Sequence, residues 1–167
     1  LTLNGVLYKY WGAKAVPELK TPYTAEKIKP HIRSRKNIVE FNHIHHVLQE
    51  LHDGGGIYFW GTMGEGPNHV RGNFIHHVGT GARTAVGLYL DDATDDVVVQ
   101  NNVVYGANIG LHLHGAPRNT VENNVFAYSG ATDISIQPEA YNTAPMNTNV
   151  LRNVFYLGRG QVFGTGE

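Results

Sequence analysis

The sequence contains no cysteine among its 167 residues. This absence excludes disulfides and thiolate metal sites, and it leaves the redox compartment unassigned. Charged residues make up only 16% of the chain, and 13 Lys and Arg residues stand against 14 Asp and Glu residues, for a formal net charge of −1. Because nucleic acids and anionic membranes attract a basic field, neither is an expected partner.

Long hydrophobic runs are also missing. No stretch of about 18 apolar residues occurs, so no membrane-spanning helix is predicted. No signal-like start is seen either. The chain opens on Leu1 and ends in the repeat-like "VFGTGE". We therefore expect a piece of a longer helix, whose remainder or another subunit is a partner.

What the sequence does have is an internal repeat. Five segments share the pattern apolar-x-x-Asn-x-(Ile/Val/Phe), with their asparagines 22 to 31 residues apart. The segments are "VEFNHI", "VRGNFI", "VQNNVV", "VENNVF" and "VLRNVF", and the asparagines are Asn42, Asn73, Asn102, Asn124 and Asn153. A weaker sixth copy is "NGVLY" at Asn4. In a stack of such units the asparagines are predicted to form a ladder that satisfies backbone groups of the next coil.

A second strand signal follows each of the five asparagines. These signals are "GIYFW", "GLYLDD", "GLHLHG", "DISIQP" and a fainter "GQVFG", and each alternates with a period of two. A unit with two short strands cannot bury its own apolar face, whereas stacked units can. The pattern predicts an all-β parallel β-helix over residues 37–164, preceded by an irregular segment 1–36 and followed by a tail 165–167.

Aligning the strands through Ile57, Leu88, Leu111 and Ile134 predicts which side chains face outward. Alternation turns Ile57/Phe59, Leu88/Leu90, Leu111/Leu113 and Ile134/Ile136 into the core. Two outer columns remain: Tyr58, Tyr89, His112, Ser135, and Trp60, Asp91, His114, Gln137. Because sugar rings stack on aromatic faces and polar groups take their hydroxyls, these columns predict a carbohydrate-binding face.

The order of four segments carries a family resemblance. "LHDGGGIYFWG", "GLYLDD", "GLHLHG" and "ENNVF" occur in this order, which resembles the right-handed parallel β-helix proteins of the pectate-lyase-like (pectin lyase fold) superfamily. The closest likeness is to the β-helix glycoside hydrolases with α-L-fucosidase and xylanase activities. The resemblance implies polysaccharide or oligosaccharide degradation, an extracellular or periplasmic location, and catalytic carboxylates at Asp53 and at Asp91 or Asp92.

The residues themselves test that implication. Glycosidic hydrolysis needs two carboxyl groups flanking the bond, one protonated and one ionised. Asp91 is the first candidate and Asp53, before three glycines, is the second. If the chain between them were extended, they would lie roughly 23 Å apart along the strand. Either the glycines bend and return Asp53, or the partner is one of three other groups: His114, Asp92 or Glu139.

Metal binding is the next alternative. A calcium site could be built from the acids of "DDATDD", Asp91, Asp92, Asp95 and Asp96, although Asp95 and Asp96 are more simply turn residues. His112 and His114 form a pair without a third ligand at a diagnostic spacing. The doublets His45–His46 and His76–His77 recur at one repeat register, which favours a structural interpretation. No metal site is assigned, and calcium stays open as a cofactor.

Two rival functions remain. A polysaccharide lyase would use Lys or Arg as a base, but the outer columns contain neither, and only Arg83 and Arg118 could reach from loops. A tailspike-like or other carbohydrate-binding solenoid would use the same aromatic face without catalysis. The predicted sugar contacts common to all three functions are Trp60, Tyr58, Tyr89, His112, His114, Gln137 and Glu139.

Overall fold

The structure is a computed structural model that describes residues 2–4, 29–79, 84–138, 146–158 and 160–164. Sixteen strands and one short 3₁₀ helix, Lys29–His31, make up its regular elements. The first sheet contains β1 (Thr2–Asn4), β4 (Gly54–Trp60), β7 (Ala85–Asp91), β10 (Ile109–His114), β13 (Thr132–Gln137) and β16 (Gln161–Gly164). The second contains β2 (Ile38–Glu40), β5 (Asn68–Arg71), β8 (Val97–Gln100), β11 (Thr120–Glu122) and β14 (Asn149–Leu151). The third contains β3 (His43–His45), β6 (Phe74–Val78), β9 (Val103–Ala107), β12 (Val125–Ala127) and β15 (Val154–Tyr156).

Every strand pairs in parallel with the equivalent strand of the neighbouring coil. From β2 onward the chain visits the second, third and first sheets in that order, once per coil. This is a parallel β-helix, and the fold predicted from the repeat is confirmed. None of the helical residues in the described ranges form a segment long and apolar enough to cross a bilayer.

The core lies between the three sheets, and its register is the predicted one. Ile57 pairs with Leu88, Leu88 with Leu111, and Leu111 with Ile134. None of these four side chains is more than 1% exposed. Burial of each contributes roughly 1.5–3 kcal/mol. Alternation therefore fixes which side chains of the first sheet point away from the core.

The predicted asparagine ladder runs between the second and third sheets. At each step the backbone N–H and the side-chain Nδ2 of one asparagine donate to Oδ1 of the next, at 2.9–3.0 Å. The steps join Asn42, Asn73, Asn102, Asn124 and Asn153. The ladder prediction is confirmed. It holds consecutive coils at one register because each amide also donates to a backbone carbonyl.

Two details differ from the sequence analysis. Asn4 was predicted to begin a sixth repeat, but β1 lies in the first sheet and pairs Asn4 with Trp60, not with the ladder. No second strand signal follows Asn4 in the sequence that would have fixed the sheet to which this copy belongs. A further set of polar contacts was not predicted: Asn37 donates to Asn68 Oδ1, and the Val97 N–H donates to Asn119 Oδ1. The fainter "GQVFG" signal does form a strand, β16.

Candidate functional site

The outer columns of the first sheet are aligned as the register requires. Tyr58 lies beside Tyr89, and Tyr89 beside His112, with ring centroids 5.1 and 4.9 Å apart. Trp60 pairs with Asp91, and His114 pairs with Gln137. The two columns therefore form one continuous outer face at this end of the strands.

This outer face is less exposed than the sequence suggested. Tyr58, Trp60, His114 and Gln137 are half-buried. Tyr89, Asp91, His112 and Ser135 are buried, with 2–8% of their surface exposed. These four residues belong to the predicted outer columns, but their side chains are covered. All seven residues of β7 are buried, so both faces of this central strand are covered.

Part of the cover over the outer face comes from β4, which bends near its start. A Cβ atom placed on Gly55 would lie 2.7 Å from the carbonyl oxygen of Ile57 and 3.0 Å from Cβ of Tyr89. Two residues of an extended strand rise about 6.6 Å, so the chain turns sharply at Gly56. Its first arm, Gly54–Gly55, consequently lies against the outer side of Tyr89, where only a residue without a side chain fits.

The bend carries Asp53 toward the outer face. Asp53 has a left-handed φ of 59°, which aspartate tolerates better than most residues. Its backbone N–H donates to Thr84 Oγ1 at 2.8 Å, and the residue is exposed. Its negative charge is one of the causes that raise the pKa of Tyr58, Tyr89 and Asp92. An extended chain would leave Asp53 too far away for these effects, so the bent alternative is the one the structure adopts.

Asp91 is the hub of a hydrogen-bonded cluster. Its Oδ2 accepts from the Tyr58 hydroxyl at 2.6 Å, and its Oδ1 lies 2.7 Å from His114 Nδ1 and accepts from the Asp92 N–H at 2.8 Å. Burial opposes ionisation, but the donors at His114 and Tyr58 outweigh it and lower the pKa of Asp91. Asp91 is therefore the ionised member of the cluster. Burial, and secondly the hydrogen bond to Asp91, raise the pKa of Tyr58, so Tyr58 keeps its hydroxyl proton.

Asp92 differs from its neighbour although both are buried. Its Oδ1 has no hydrogen-bond partner and lies 3.5 Å from His114 Nδ1, while its carboxylate accepts a hydrogen bond from the Trp60 side chain. Burial and the charge of Asp91 raise the pKa of Asp92. Two adjacent residues thus have opposite shifts, which is how a site assigns separate acid and base roles.

The same three residues could hold a cation. One ligand atom from each of Asp91, Asp92 and His114 lies within 4.8 Å of the others. This set differs from the predicted calcium site of four aspartates, because it contains Asp91 and Asp92 but neither Asp95 nor Asp96.

Asp95 and Asp96 have other partners. Lys29 lies 2.8 Å from Asp95 and also pairs with Asp96, while Arg118 pairs with Asp95. Asp95 is only 1% exposed and accepts the Met63 N–H at 2.8 Å. Asp95 does lie in the loop between β7 and β8, and in addition it connects the 3₁₀ helix to this loop through Lys29. Sequence spacing carried no signal for this contact, because Lys29 lies far away along the chain.

Not every predicted residue joins the cluster. His112 is buried, and its low pKa results first from burial and then from the nearby His114 charge. Gln137 lies one coil beyond His114. Glu139 and Arg83 lie outside the described residues. The sequence analysis did not predict the hydrogen bond from the Tyr58 hydroxyl to Asp91. Tyr58 pairs with Tyr89, and Asp91 lies two residues further along that neighbouring strand. Such diagonal neighbours are within reach of a tyrosine side chain, so the predicted register contained the signal for this contact.

Comparisons with known proteins identify the architecture. Residues 31–164 match the model of the family described as "Right handed beta helix region". Neither the curated proteins nor the solved structures contain a match to the chain.

Proposed function

This chain belongs to the right-handed β-helix family, and on that premise we propose that it is a glycoside hydrolase acting on an oligosaccharide or polysaccharide. The β-helix fits carbohydrate-active solenoid proteins as a class. Within that class, the hydrolase assignment rests on one observation: two adjacent buried carboxyls have different environments. Both oxygens of Asp91 accept hydrogen bonds, from Tyr58 and from His114 and the Asp92 N–H, whereas Oδ1 of Asp92 is buried without a hydrogen-bond partner. In keeping with this difference, the pKa of Asp91 is lowered and that of Asp92 is raised. Hydrolysis of a glycosidic bond requires one ionised and one protonated carboxyl.

The chemistry assigns a role to each acid. Asp92 gives its proton to the glycosidic oxygen as the bond to the anomeric carbon breaks. The ionised Asp91 stabilises the positive charge that develops on the sugar ring. Water then adds to the anomeric carbon, and its released proton returns to Asp92. One glycoside and one water thus give two free hydroxyl compounds, and both acids regain their starting states.

Neighbouring side chains support these roles. Tyr58 and His114 hold Asp91 ionised through hydrogen bonds of 2.6 and 2.7 Å. Trp60 is half-buried beside Asp91, so part of its ring stays available for stacking against a sugar. Asp53 is exposed on the bent arm, where it accepts hydrogen bonds from sugar hydroxyls. Asp92 is the preferred acid because it is buried, and burial raises its pKa, whereas Asp53 is exposed to solvent.

Of the two arginines considered for a lyase, Arg83 lies outside the described residues, and the contacts of Arg118 do not favour the lyase hypothesis. A uronate substrate needs a basic group near the cleaved bond, and Arg118 is instead paired with Asp95. The second rival, a solenoid that binds sugar without cleaving it, is favoured by the same half-buried Tyr58 and Trp60. Catalysis and binding must therefore be measured separately.

The test compares Asp91→Asn with wild type on a panel of aryl glycosides and oligosaccharides. We expect turnover to fall about 1,000-fold, since the positive charge loses its counterion, while calorimetric affinity for the substrate changes little. Asp96→Asn is the matched control, because it makes the same chemical change outside the cluster. Unchanged turnover in Asp91→Asn would remove Asp91 from the mechanism. Binding by wild type without any turnover would favour the non-catalytic solenoid.

A further inference from the structure

A second group of ionisable side chains lies on the outer face of the third sheet. It consists of five imidazoles from two neighbouring coils, which we call the histidine cluster: His43, His45, His46, His76 and His77. Four of the five residues are exposed, and His76 is half-buried. The cluster lies on a different sheet from Asp91, so it is not part of the proposed hydrolase site.

The fold explains why these residues meet. Ile44 pairs with Ile75 and points inward, so alternation places His43, His45 and His76 on the outer side. His45 pairs directly with His76, and their rings stack with centroids 5.2 Å apart.

The strands end immediately after these residues. His46 and His77 both have a left-handed φ of 52°. This conformation breaks the alternation, and the two rings stack on each other at 5.0 Å on the same exposed side. The repeated "HH" doublet thus adds one further imidazole per coil to the outer face.

Ring nitrogens of the cluster lie very close together. His43 Nε2 lies 2.7 Å from His76 Nε2, and the other nitrogen of His76, Nδ1, lies 2.6 Å from His77 Nδ1. His45 Nδ1 lies 2.9 Å from His46 Nδ1. Each of the five rings therefore has a nitrogen within 2.9 Å of a nitrogen on another ring.

We propose that the histidine cluster binds a divalent late transition metal of the Cu²⁺, Ni²⁺ or Zn²⁺ class. These ions favour imidazole ligands with metal–nitrogen distances of about 2.0–2.1 Å. Two such ligands at a right angle stand about 2.9 Å apart, close to the His43–His76 separation. These two Nε2 atoms are the first pair of ligands.

A third ligand is within reach of the first two. The His45 ring lies 4.7 Å from the His43 ring and is exposed. Among the described residues, the three potential ligand atoms that lie within 4.8 Å of one another belong to Asp91, Asp92 and His114. In the histidine cluster, by contrast, the ring nitrogens are arranged in pairs, and a third ligand has to move to join a pair. Rotation of the exposed His45 side chain completes the set, and exposed rotamers exchange rapidly.

The competing explanation is a chain of neutral imidazoles joined by N–H···N hydrogen bonds, which needs no metal and predicts no saturable uptake at this position.

Calorimetric titration with Cu²⁺, Ni²⁺ and Zn²⁺ chlorides, each alone, tests the proposal on the full chain. We expect saturable binding that weakens at least tenfold in His76→Gln and in His43→Gln. His31→Gln is the matched control, because His31 is exposed and lies in the 3₁₀ helix. Electron paramagnetic resonance of the Cu²⁺ protein should show coupling to two or more imidazole nitrogens.

Three results would overturn the proposal. They are absence of binding, equal affinity of wild type and His76→Gln, and loss of binding only in Asp91→Asn, which would assign the ion to the other site. Because Asp91→Asn tests turnover while His76→Gln tests metal uptake, failure of either proposal leaves the other intact. Far-UV circular dichroism of each variant checks the fold, and if either His76→Gln or His43→Gln misfolds, the other one decides the test.

Discussion

The asparagine ladder and the acids at the end of β7 are both buried and polar, yet they differ in how completely they are satisfied. Asn102 accepts from Asn73 at Oδ1 and donates through Nδ2 to Asn124 and to the Val70 carbonyl. Asp92 Oδ1 is buried without a hydrogen-bond partner. A polar residue that repeats in every coil finds its partner in the next coil. Asp92 has no equivalent in the next coil to pair with its Oδ1.

Charge separates the two regions as well. The ladder is made of neutral amides, so its hydrogen bonds contribute stability at any pH where the amides persist. The acids of β7 instead divide into an ionised Asp91 and an Asp92 that resists ionisation. The repeated asparagines therefore have a structural role, whereas the acids at "LDD" break the repeat and are the residues to which the proposed function assigns chemistry.

The largest expected effect comes from breaking the ladder at its centre. Asn102→Ala removes the acceptor of Asn73 and the donor to Val70, and it leaves several buried groups unpaired. We expect the free energy of unfolding to fall by about 3 kcal/mol. Chemical denaturation measures it. Asn42→Ala, at the exposed end of the ladder, is the control and should cost about 1 kcal/mol; equal losses at both positions would mean that the ladder is not cooperative.

A smaller effect is expected at the bend that returns Asp53. Gly55→Ala places a methyl group 2.7 Å from the Ile57 carbonyl oxygen and 3.0 Å from Tyr89 Cβ. We expect a loss of about 2 kcal/mol in thermal or denaturant unfolding. In Gly54→Ala the methyl meets only the mobile end of Leu48, at 3.2 Å, so its loss should stay within about 0.5 kcal/mol. A reversed order of these two variants would contradict the bend.

The smallest predicted effect is the pH dependence of stability. Because the folded-state pKa of Asp91 is lowered, its contribution is present above the unfolded pKa and is lost as pH falls through the folded pKa. The raised pKa of Asp92 acts in the opposite direction, so stability falls as pH rises from the unfolded toward the folded value.

Asparagine variants separate these two contributions. At neutral pH, Asp91→Asn should be less stable than wild type, and this difference should disappear as the pH is lowered. Asp92→Asn should become more stable relative to wild type as the pH rises toward neutrality. Thermal unfolding between about pH 2 and pH 7, a range that extends to both sides of the ordinary aspartate pKa of about 3.9, shows both slopes. Parallel profiles for the two variants would refute the assignment of opposite states.

The β-helix could be predicted from the sequence because its signals repeat. Each coil carries the same asparagine and the same alternation, so a register error in one copy is corrected by the others. Alignment through Leu88 and Leu111 therefore identified both the core and the outer columns. The repeat alone also predicts that Tyr58, Tyr89 and His112 lie side by side.

The site could be predicted only in part because its contacts occur once. Asp53 and Asp91 are expected to lie far apart only if the chain between Asp53 and Ile57 is extended. The chain bends at Gly56, so that expectation does not hold. The pairing of Lys29 with Asp95 spans distant segments, and periodicity contains no information about it. Burial of Tyr89 and Asp91 likewise depends on tertiary covering, since strand alternation alone leaves both facing outward.

The most direct test of the central claim is the leaving-group dependence of Asp92→Asn. On aryl glycosides with poor leaving groups, which need a proton from Asp92, we predict that turnover falls at least about 100-fold. On dinitrophenyl glycosides, which leave without protonation, turnover should stay near that of wild type, whereas Asp91→Asn should be impaired on both. Wild-type rates for Asp92→Asn on both substrates would contradict the account.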